Sequence, residues 1–236
     1  MLRYAITSRI LLADAEAERA ERLIALASRW GTEGVDYIQL RERDIPDADL
    51  LKLASKIVQA VRRPSSPAQI STQVLINSAT EKALSIALDS GADGVHLPGG
   101  LSAQRLAATI DQLHKGWQSA TGRGVTPVIS VSCHSAAEVR AARAAGASIA
   151  LFAPVFEKAL PGEPALPGRG IESLRDACLA AHEPAPHPEI DVVALGGITL
   201  ENTAQCIAAG ADGIAAIRLF LNAETKPRWE SMPQAY

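Results

Sequence analysis

The stretch Gly91-Ala92-Asp93-Gly94-Val95 is one copy of a short pattern that occurs four times along the chain. In each copy a Gly ends an Ala-rich segment and is followed by small or acidic residues and then by apolar ones. The other copies begin at Gly34, Gly146 and Gly210, so successive copies are separated by 57, 55 and 64 positions. Gly suits this place because the residue that closes a helix often needs a positive φ before the chain turns into a strand. The pattern predicts four recurring helix-to-strand junctions.

The spacing of these junctions predicts eight βα units. A strand takes about five residues and a crossover with its helix at least ~10–12, so each interval has room for two units. Strand and helix alternating eight times predict an α/β protein with a single (β/α)8 TIM barrel. A doubly wound open sheet is the alternative, but the first βα turn has no GxGxxG sequence.

Short stretches rich in Val and Ile supply the strands, and Ala- and Leu-rich stretches between them have helical periodicity. The predicted strands are Tyr4–Thr7, Tyr37–Glu42, Val74–Asn77, Gly94–Leu97, Pro127–Ser132, Ser148–Pro154, Val192–Gly196 and Gly213–Ile217. The predicted helices are Ala15–Trp30, Asp47–Val61, Thr80–Asp89, Ala103–His114, Ala136–Ala145, Glu172–Ala181 and Leu200–Ala209. Ser135 ahead of Glu138 and Thr199 ahead of Asn202 are predicted helix caps.

Length and composition agree with one domain. The chain has 236 residues, 47% of them hydrophobic and only 4% aromatic, so Ala, Leu, Ile and Val must build the core. We predict the barrel over residues 1–222 and a C-terminal tail over residues 223–236. Three Pro-rich stretches are predicted as loops within the barrel: Pro64–Pro67, Pro161–Pro167 and Pro184–Pro188.

Charge and cysteine usage exclude several classes of partner. The net charge is −3 and Lys and Arg are scattered, which argues against a nucleic acid partner. No apolar run approaches the ~20 residues of a membrane span, and the amino terminus enters a strand without a signal peptide. Cys133, Cys178 and Cys206 have no paired spacing, which indicates reduced thiols. We expect a cytoplasmic protein with no membrane partner, and a homo-oligomer stays open.

The predicted second strand ends in polar residues that suit an anion. In a barrel the active site lies at the carboxyl ends of the strands. Alternation directs Gln39, Arg41 and also Arg43 toward that mouth, and the Arg fork can bind phosphate or carboxylate through two hydrogen bonds. A structural ion pair between Arg41 and Glu42 at the rim is the alternative. We favour ligand binding because several polar groups converge there.

The ends of the seventh and eighth strands predict a phosphate site. Gly196-Gly197 precedes a helix, and paired Gly residues let the backbone approach an oxyanion closely. Ile217-Arg218 follows the eighth strand. The loops after strands seven and eight of such barrels frequently bind phosphate.

His134 is the candidate acid–base residue. It follows the fifth strand at the rim, where a neutral imidazole can exchange protons near pH 7, although it could simply help to start the next helix. His96, within the fourth strand, is better explained as a core histidine with satisfied hydrogen bonds. Cys133 is a candidate nucleophile, but a buried inert thiol is commoner. The only Lys near a strand end is Lys158, which disfavours a Schiff-base mechanism.

These motifs together resemble the thiamine phosphate synthase and TenI superfamily, from Tyr4 to about Phe220. The resemblance is carried by the ordered segments Tyr4–Thr7, Gln39–Glu42, Ile76-Asn77, Gly91–Leu97, Ser132–Ser135 with Glu138, and Gly196–Ile198. It implies that Gln39, Arg41, Arg43, Asn77 and Ser132 bind substrate. It further implies that the Gly196-Gly197 and Ile217-Arg218 segments hold a phosphate, with Arg218 in a place where the family usually has Ser.

The resemblance is closer to the TenI branch than to the synthases. Synthases hold Mg²⁺ with Asp residues after the third and fourth strands, where this chain has Ser78 and the segment Pro98–Gly100. They also have a Thr-x-Thr-Lys loop after strand six, where this chain has Phe156 to Pro161. Studied TenI members are thiazole tautomerases that move a proton without metal, and His134 matches their acid–base residue.

We therefore predict an isomerase of thiamine biosynthesis that aromatises a thiazole carboxylate phosphate with His134 and needs no metal or other cofactor. Two alternatives stay open. One is a thiamine phosphate synthase, which would need Mg²⁺ to couple a pyrimidine diphosphate with a thiazole phosphate. The other is a regulatory protein that binds a thiazole or thiamine-related phosphate without turnover.

Overall fold

A computed structural model describes residues 1–62, 72–78, 80–122, 124–157 and 167–221. Eight parallel strands form a closed barrel in the order β1 to β8. The strands are β1 Leu2–Ile6, β2 Tyr37–Leu40, β3 Gln73–Ile76, β4 Gly94–Leu97, β5 Val128–Cys133, β6 Ile149–Phe152, β7 Asp191–Leu195 and β8 Gly213–Ala216. The helices are α1 Glu16–Glu33, α2 Asp47–Val61, α3 Thr80–Ser90, α4 Ala103–Thr121, α5 Ala136–Ala144, α6 Ile171–His182, α7 Leu200–Ala208 and α8 Arg218–Leu221. The predicted (β/α)8 barrel is confirmed.

Two separate apolar layers stabilise the barrel. The larger layer lies between the strands and the surrounding helices and includes Leu23, Trp30, Ile57 and Ile110. The smaller layer fills the lumen, and its buried members are Tyr4, Ile6, Leu75, Ile149, Leu151, Val193 and Ala215. Side chains alternate between the two layers along every strand, because neighbouring residues of a strand point to opposite faces. The lumen is therefore a packed core, and ligands have access only to its ends.

The repeated sequence pattern corresponds to a repeated structural contact. Gly34, Gly91, Gly146 and Gly210 all have positive φ, between 72° and 100°, as the predicted helix ends require. Two residues after each Gly, a polar residue joins its strand to the preceding one. Its backbone N–H donates to the backbone carbonyl of one residue in the preceding strand. Its side-chain oxygen accepts from the backbone N–H of that residue in the preceding strand. We call each such pair of hydrogen bonds a strand clip.

The four clips join neighbouring strands, at every second strand pair around the barrel. Their side-chain bonds are Arg3 N to Asp36 Oδ2 at 2.7 Å, Val74 N to Asp93 Oδ2 at 2.8 Å, Ile129 N to Ser148 Oγ at 3.3 Å and Val192 N to Asp212 Oδ2 at 2.7 Å. All four lie at the amino ends of the strands, at the opposite end from the predicted site. Because the clip residues hold the backbone there, the carboxylates of Asp36, Asp93 and Asp212 are structural.

Several predicted boundaries need correction. β2 ends at Leu40 and β6 at Phe152, so Arg41, Glu42 and Pro154 belong to the loops at the barrel mouth. The helix α4 continues past His114 to Thr121, because Trp117 adds another buried turn after Ile110 and Leu113.

Both predicted helix caps are confirmed. Ser135 Oγ accepts from Glu138 N, and Thr199 forms a capping box with Asn202. The predicted tail 223–236, Pro64–Pro67 and all but the last residue of Pro161–Pro167 lie outside the described residues.

The clips predict how Asp93→Ala affects stability. The variant leaves the Val74 N–H without its acceptor at a buried strand end, which costs about 1–3 kcal/mol of unfolding free energy. Arg62→Ala is the matched control, because it removes the exposed ion pair of Asp93 with Arg62, together with the Arg62 hydrogen bond to Gly91 O, and keeps the clip. An exposed pair contributes only about 0–1 kcal/mol. Urea denaturation of both variants measures the difference, and equal losses would show that the clip contributes nothing.

Candidate functional site

The carboxyl ends of the strands form a polar mouth above the apolar lumen. Gln39 of β2 is only 2% exposed, and its Oε1 has no hydrogen-bond partner among the described residues. Asn77, directly after β3, is half-buried, and its backbone N–H donates to Leu40 O at 3.0 Å. Ser132 of β5 is also half-buried. Three predicted site residues thus lie at one end of the barrel, and a buried amide oxygen among them has no protein partner.

Arg41 is half-buried at this mouth. Its backbone N–H donates to Thr7 Oγ1 at 3.0 Å, which positions the residue after β2. Burial lowers the pKa of the Arg41 guanidinium, and the charge of Arg43 lowers it further. Among the described residues no ion pair forms with this guanidinium, so two neighbouring positive charges lie at the mouth. Such a pair favours an anionic ligand.

The alternative prediction, an ion pair between Arg41 and Glu42, is wrong. Glu42 is buried, and both of its carboxylate oxygens accept from Arg9 N at 3.1 Å. Burial raises the pKa of Glu42, while a hydrogen bond from Thr7 and the one from Arg9 oppose that rise. Arg9 is itself buried and pairs with Asp44 at 2.7 Å. Glu42 and Arg9 therefore fasten the loops after β1 and β2 to each other.

His134 lies just beyond β5 with its ring held on one side. Its Nδ1 lies 2.6 Å from Ala153 O, an acceptor, so Nδ1 donates and Nε2 keeps its lone pair. Its backbone N–H donates to Glu138 Oε2 at 2.6 Å, in the first turn of α5. The loop after β6 and the helix after β5 therefore both orient His134.

Gly99 in the loop after β4 leaves room for the imidazole. A Cβ at this position would lie 2.9 Å from His134 Nε2 and 2.8 Å from Ser132 O. Any side chain here would displace the ring or the strand end. The basic nitrogen of His134 thus faces the Gly99 backbone at the mouth.

A hydrogen-bonded series of side chains crosses the lumen below the mouth. Tyr4 Oη lies 2.9 Å from Ser130 Oγ, Ser130 Oγ lies 2.8 Å from His96 Nδ1, and His96 Nε2 lies 3.0 Å from Ser132 Oγ. Burial, together with the charges of Arg41 and Arg43, lowers the pKa of His96 to about 3. The prediction of a core histidine with satisfied hydrogen bonds is confirmed, and its ring also contacts a site residue.

The segments predicted to bind phosphate have a structural explanation as well. Gly196 and Gly197 both have positive φ, and a Cβ on either would lie 2.6–2.7 Å from the segment Pro154–Glu157. This segment continues the sheet, since Val155 N donates to Leu195 O. Ile217 packs against the lumen layer, and Arg218 is exposed at the start of α8. A phosphate at these segments stays a prediction.

The residues after β3 and β4 do not fit the magnesium site of the synthases. Asn77, Ser78 and the segment Pro98–Gly100 offer no carboxylate, and Mg²⁺ in such sites is held by one or two carboxylates. Within the described ranges, no three His, Cys, Asp or Glu residues cluster as a metal site. Lys158 lies outside the described residues.

The three cysteines are free and buried. Burial raises the pKa of Cys133 to about 12, with a further contribution from Glu138, so its thiol stays protonated and inert at neutral pH. The prediction of an inert Cys133 agrees with this environment.

Sequence reasoning missed Tyr4, Thr7, Gly99 and Ser130 as contributors to the site. Tyr4 and Thr7 look like ordinary strand residues, and their contacts span 126 and 34 positions of sequence. The period of two along β5 could have placed Ser130 on the face of Ser132. No local pattern could have paired Ser130 with Tyr4 of β1, or Ser132 with His96 of β4.

Fold and site together define a (β/α)8 barrel with an oriented His134 and a half-buried Arg41 at its mouth. The family model described as thiamine monophosphate synthase matches residues 4–220. The chain belongs to this family, whose members act in thiamine biosynthesis. No described helix has the length and apolar character needed to cross a membrane.

Individual relatives have the same family name. A thiamine-phosphate synthase of Methanoregula boonei is 36% identical over 188 residues, which cover 78% of this chain and 71% of the relative. A thiamine-phosphate synthase of Methanoculleus marisnigri is 33% identical over 195 residues, which cover 81% of this chain and 77% of the relative. A thiamine phosphate pyrophosphorylase structure from Pyrococcus furiosus superposes with a TM-score of 0.65 at 22% identity, covering 96% of this chain and 90% of that one. That last likeness shows the fold alone.

The orientation of His134 predicts its tautomer. Because Nδ1 donates to Ala153 O, the neutral ring carries its proton on Nδ1. Long-range ¹H–¹⁵N correlation spectra of the unliganded protein distinguish the two tautomers. The His134 signals, assigned by their loss in His134→Ala, should show a protonated Nδ1. A protonated Nε2 would contradict the assignment.

Burial of His96 predicts loss of stability in acid. Unfolded His96 takes up a proton as the pH falls below ~6.5, whereas the folded ring resists protonation down to about 3. In that window the unfolded state binds the extra proton, so this group lowers stability by up to about 1.4 kcal/mol per pH unit. Denaturant unfolding of wild type and His96→Gln between pH 4 and 7 measures this slope. An equal slope in both would contradict the prediction.

Proposed function

We propose that this protein is a thiazole tautomerase, which aromatises a thiazole carboxylate phosphate by transferring a proton without a metal ion. The observation that carries the proposal is the combination of an oriented His134 with a mouth that has no carboxylates after β3 and β4. Proton transfer requires a base with a free lone pair near the substrate, and the His134 Nε2 has one.

His134 supplies both halves of the reaction. Its Nε2 accepts the proton from one position of the ring, and Nδ1–H holds the resulting imidazolium against Ala153 O. The same Nε2–H then returns the proton to a second position of the ring. Substrate and product have the same atoms and the same number of electrons, so the reaction needs no redox partner. General acid–base catalysis of this kind contributes typically about 10²–10⁴-fold.

The charged groups of the mouth support two anion positions in this proposal. Arg41 is half-buried with no ion-pair partner among the described residues, and Arg43 adds a second positive charge, so they suit the carboxylate. The Gly196-Gly197 and Ile217-Arg218 segments would hold the phosphate across the barrel. Gln39, Asn77 and Ser132 lie at the mouth and would contact the ring.

A thiamine phosphate synthase is the second candidate, and the names of the relatives favour it over the tautomerase. It would couple a pyrimidine diphosphate with a thiazole phosphate and would need Mg²⁺ for the departing diphosphate. The donor set after β3 and β4 disagrees with that requirement, so we derive no step through the metal. A protein that binds the ligand without turnover is the third candidate.

The decisive experiment is an NMR time course of thiazole carboxylate phosphate with purified protein in EDTA. We expect aromatisation by the wild type and a loss of about 10²–10⁴-fold in kcat for His134→Ala. His187→Ala is the matched control, since it removes an exposed imidazole away from the mouth, and it should keep the wild-type rate.

The three candidates give different results in this assay. Turnover that survives His134→Ala would contradict the mechanism. No turnover in EDTA, followed by thiamine phosphate formation once Mg²⁺, the pyrimidine diphosphate and thiazole phosphate are added, would establish the synthase. Ligand binding without either product would establish the binding protein.

A further inference from the structure

The hydrogen-bonded series below the mouth has a direction. Tyr4, Ser130 and His96 are buried, with 0%, 0% and 4% exposure, whereas Ser132 at the end of the series is half-buried at the mouth. Three of its four members therefore cannot exchange hydrogen bonds with water. Their hydrogens must be satisfied within the protein, which restricts where each proton lies.

The direction follows from the buried hydroxyls of Tyr4 and Ser130. Among the described residues, Ser130 Oγ is the one hydrogen-bond partner of the Tyr4 hydroxyl, so Tyr4 must donate to Ser130. The hydroxyl of Ser130 then donates to the remaining acceptor in reach, His96 Nδ1. A neutral imidazole that accepts at Nδ1 carries its proton on Nε2, and this proton is donated to Ser132 Oγ.

The reverse order leaves a buried hydrogen unsatisfied. If His96 donated from Nδ1, the hydroxyl of Ser130 would have to point back at Tyr4, and the Tyr4 hydrogen would have no acceptor among the described residues. If Tyr4 and His96 both donated to Ser130, the Ser130 hydrogen would have none. A protonated imidazole leads to the same conflict, and burial disfavours it by lowering the pKa of His96 to about 3. Only the order from Tyr4 to Ser132 satisfies every buried donor.

We propose that this series, the hydroxyl relay, fixes Ser132 as a hydrogen-bond donor to the ligand. Ser132 receives the Nε2–H of His96, so its own hydrogen is the one left over, and it points to the mouth. The relay thereby selects a ligand atom that accepts a hydrogen bond, such as a phosphate or carboxylate oxygen, and disfavours an N–H or O–H at this place. Ser130 and His96 are positioning residues, and only Ser132 touches the ligand.

The neighbouring charges agree with an acceptor at this position. The charges of both Arg41 and Arg43 act on His96, so Ser132 lies at the positive part of the mouth. A donor hydroxyl beside two guanidinium groups complements an anion. The inference rests on the proposed function only for the identity of that anion.

The first test measures the relay without any ligand. Long-range ¹H–¹⁵N correlation spectra of the unliganded protein near pH 7 should show His96 with a protonated Nε2, the opposite tautomer to His134. Ser130→Ala removes the hydroxyl that donates to His96 Nδ1, so the Nδ1-protonated tautomer of His96 should gain population. Tyr4→Phe is the matched control, because Ser130 keeps His96 Nδ1 as its acceptor and the Nε2 tautomer should persist. A protonated Nδ1 of His96 in the wild type overturns the relay.

The second test measures the donor with inorganic pyrophosphate, an anion in which most oxygens are hydrogen-bond acceptors. Calorimetric titration should show roughly tenfold or weaker binding for Ser132→Ala, the loss of one hydrogen bond to a charged group. Ser130→Ala should weaken binding in the same direction, and Tyr4→Phe should not. The double variant Ser130→Ala with Ser132→Ala should bind no worse than Ser132→Ala alone, since Ser130 acts through Ser132.

The outcomes separate this inference from the proposed function. Wild-type affinity in Ser132→Ala, or additive losses in the double variant, overturns the role of Ser132 as a donor controlled by the relay. A wild type that binds no pyrophosphate overturns it as well. If the thiazole reaction fails while the tautomers and affinities are as expected, the tautomerase is excluded and the relay is kept.

Discussion

The closure of the parallel ladder is the constraint on which the rest of this structure depends. Eight strands of four to six residues form a ring only if every register is kept, from the β1–β2 pair round to the β1–β8 pair. The four strand clips hold that register at the amino ends, where they join β1 to β2, β3 to β4, β5 to β6 and β7 to β8. A slip by one residue would exchange the lumen with the outer layer, because the side-chain period of a strand is two.

Closure also separates the two ends of the barrel. Polar side chains at the amino ends are used by the clips, so Asp36, Asp93 and Asp212 are committed to backbone N–H groups. At the carboxyl ends, Gln39 and the guanidinium of Arg41 have no such commitment among the described residues. The lumen between the ends is filled by aliphatic residues, by Tyr4 and by the hydrogen-bonded side chains of Ser130 and His96. The carboxylates of the clips lie at one end, and groups available to a ligand lie at the other.

The site combines rigid support with a small number of exposed polar atoms. His134 is held by Ala153 O and Glu138, and Ser132 is held by His96. The two imidazoles have different roles because their surroundings differ. Burial keeps His96 neutral and makes it part of the structure, whereas His134 lies at the rim with Nε2 beside Gly99. Such support matters because acid–base groups act only when they are held within hydrogen-bond reach of the substrate.

The amino-acid sequence by itself determined the barrel, its eight units, the helix caps and the family. These features depend on local periodicity, on Gly at helix ends and on the order of short motifs, all of which are contained within a few consecutive residues. It also placed His134, Arg41 and Gln39 at strand ends, where the fold brings them to one mouth.

Only the tertiary structure decided which of these groups interact. The partner of Glu42 is Arg9 and not Arg41, and Tyr4 reaches Ser130 across 126 positions of sequence. The same packing decided that His96 is neutral and that Nδ1 of His134 is the donor. Hydrogen bonds across a closed lumen depend on the register and inward direction of strands far apart in the chain, and no local pattern of residues contains that information.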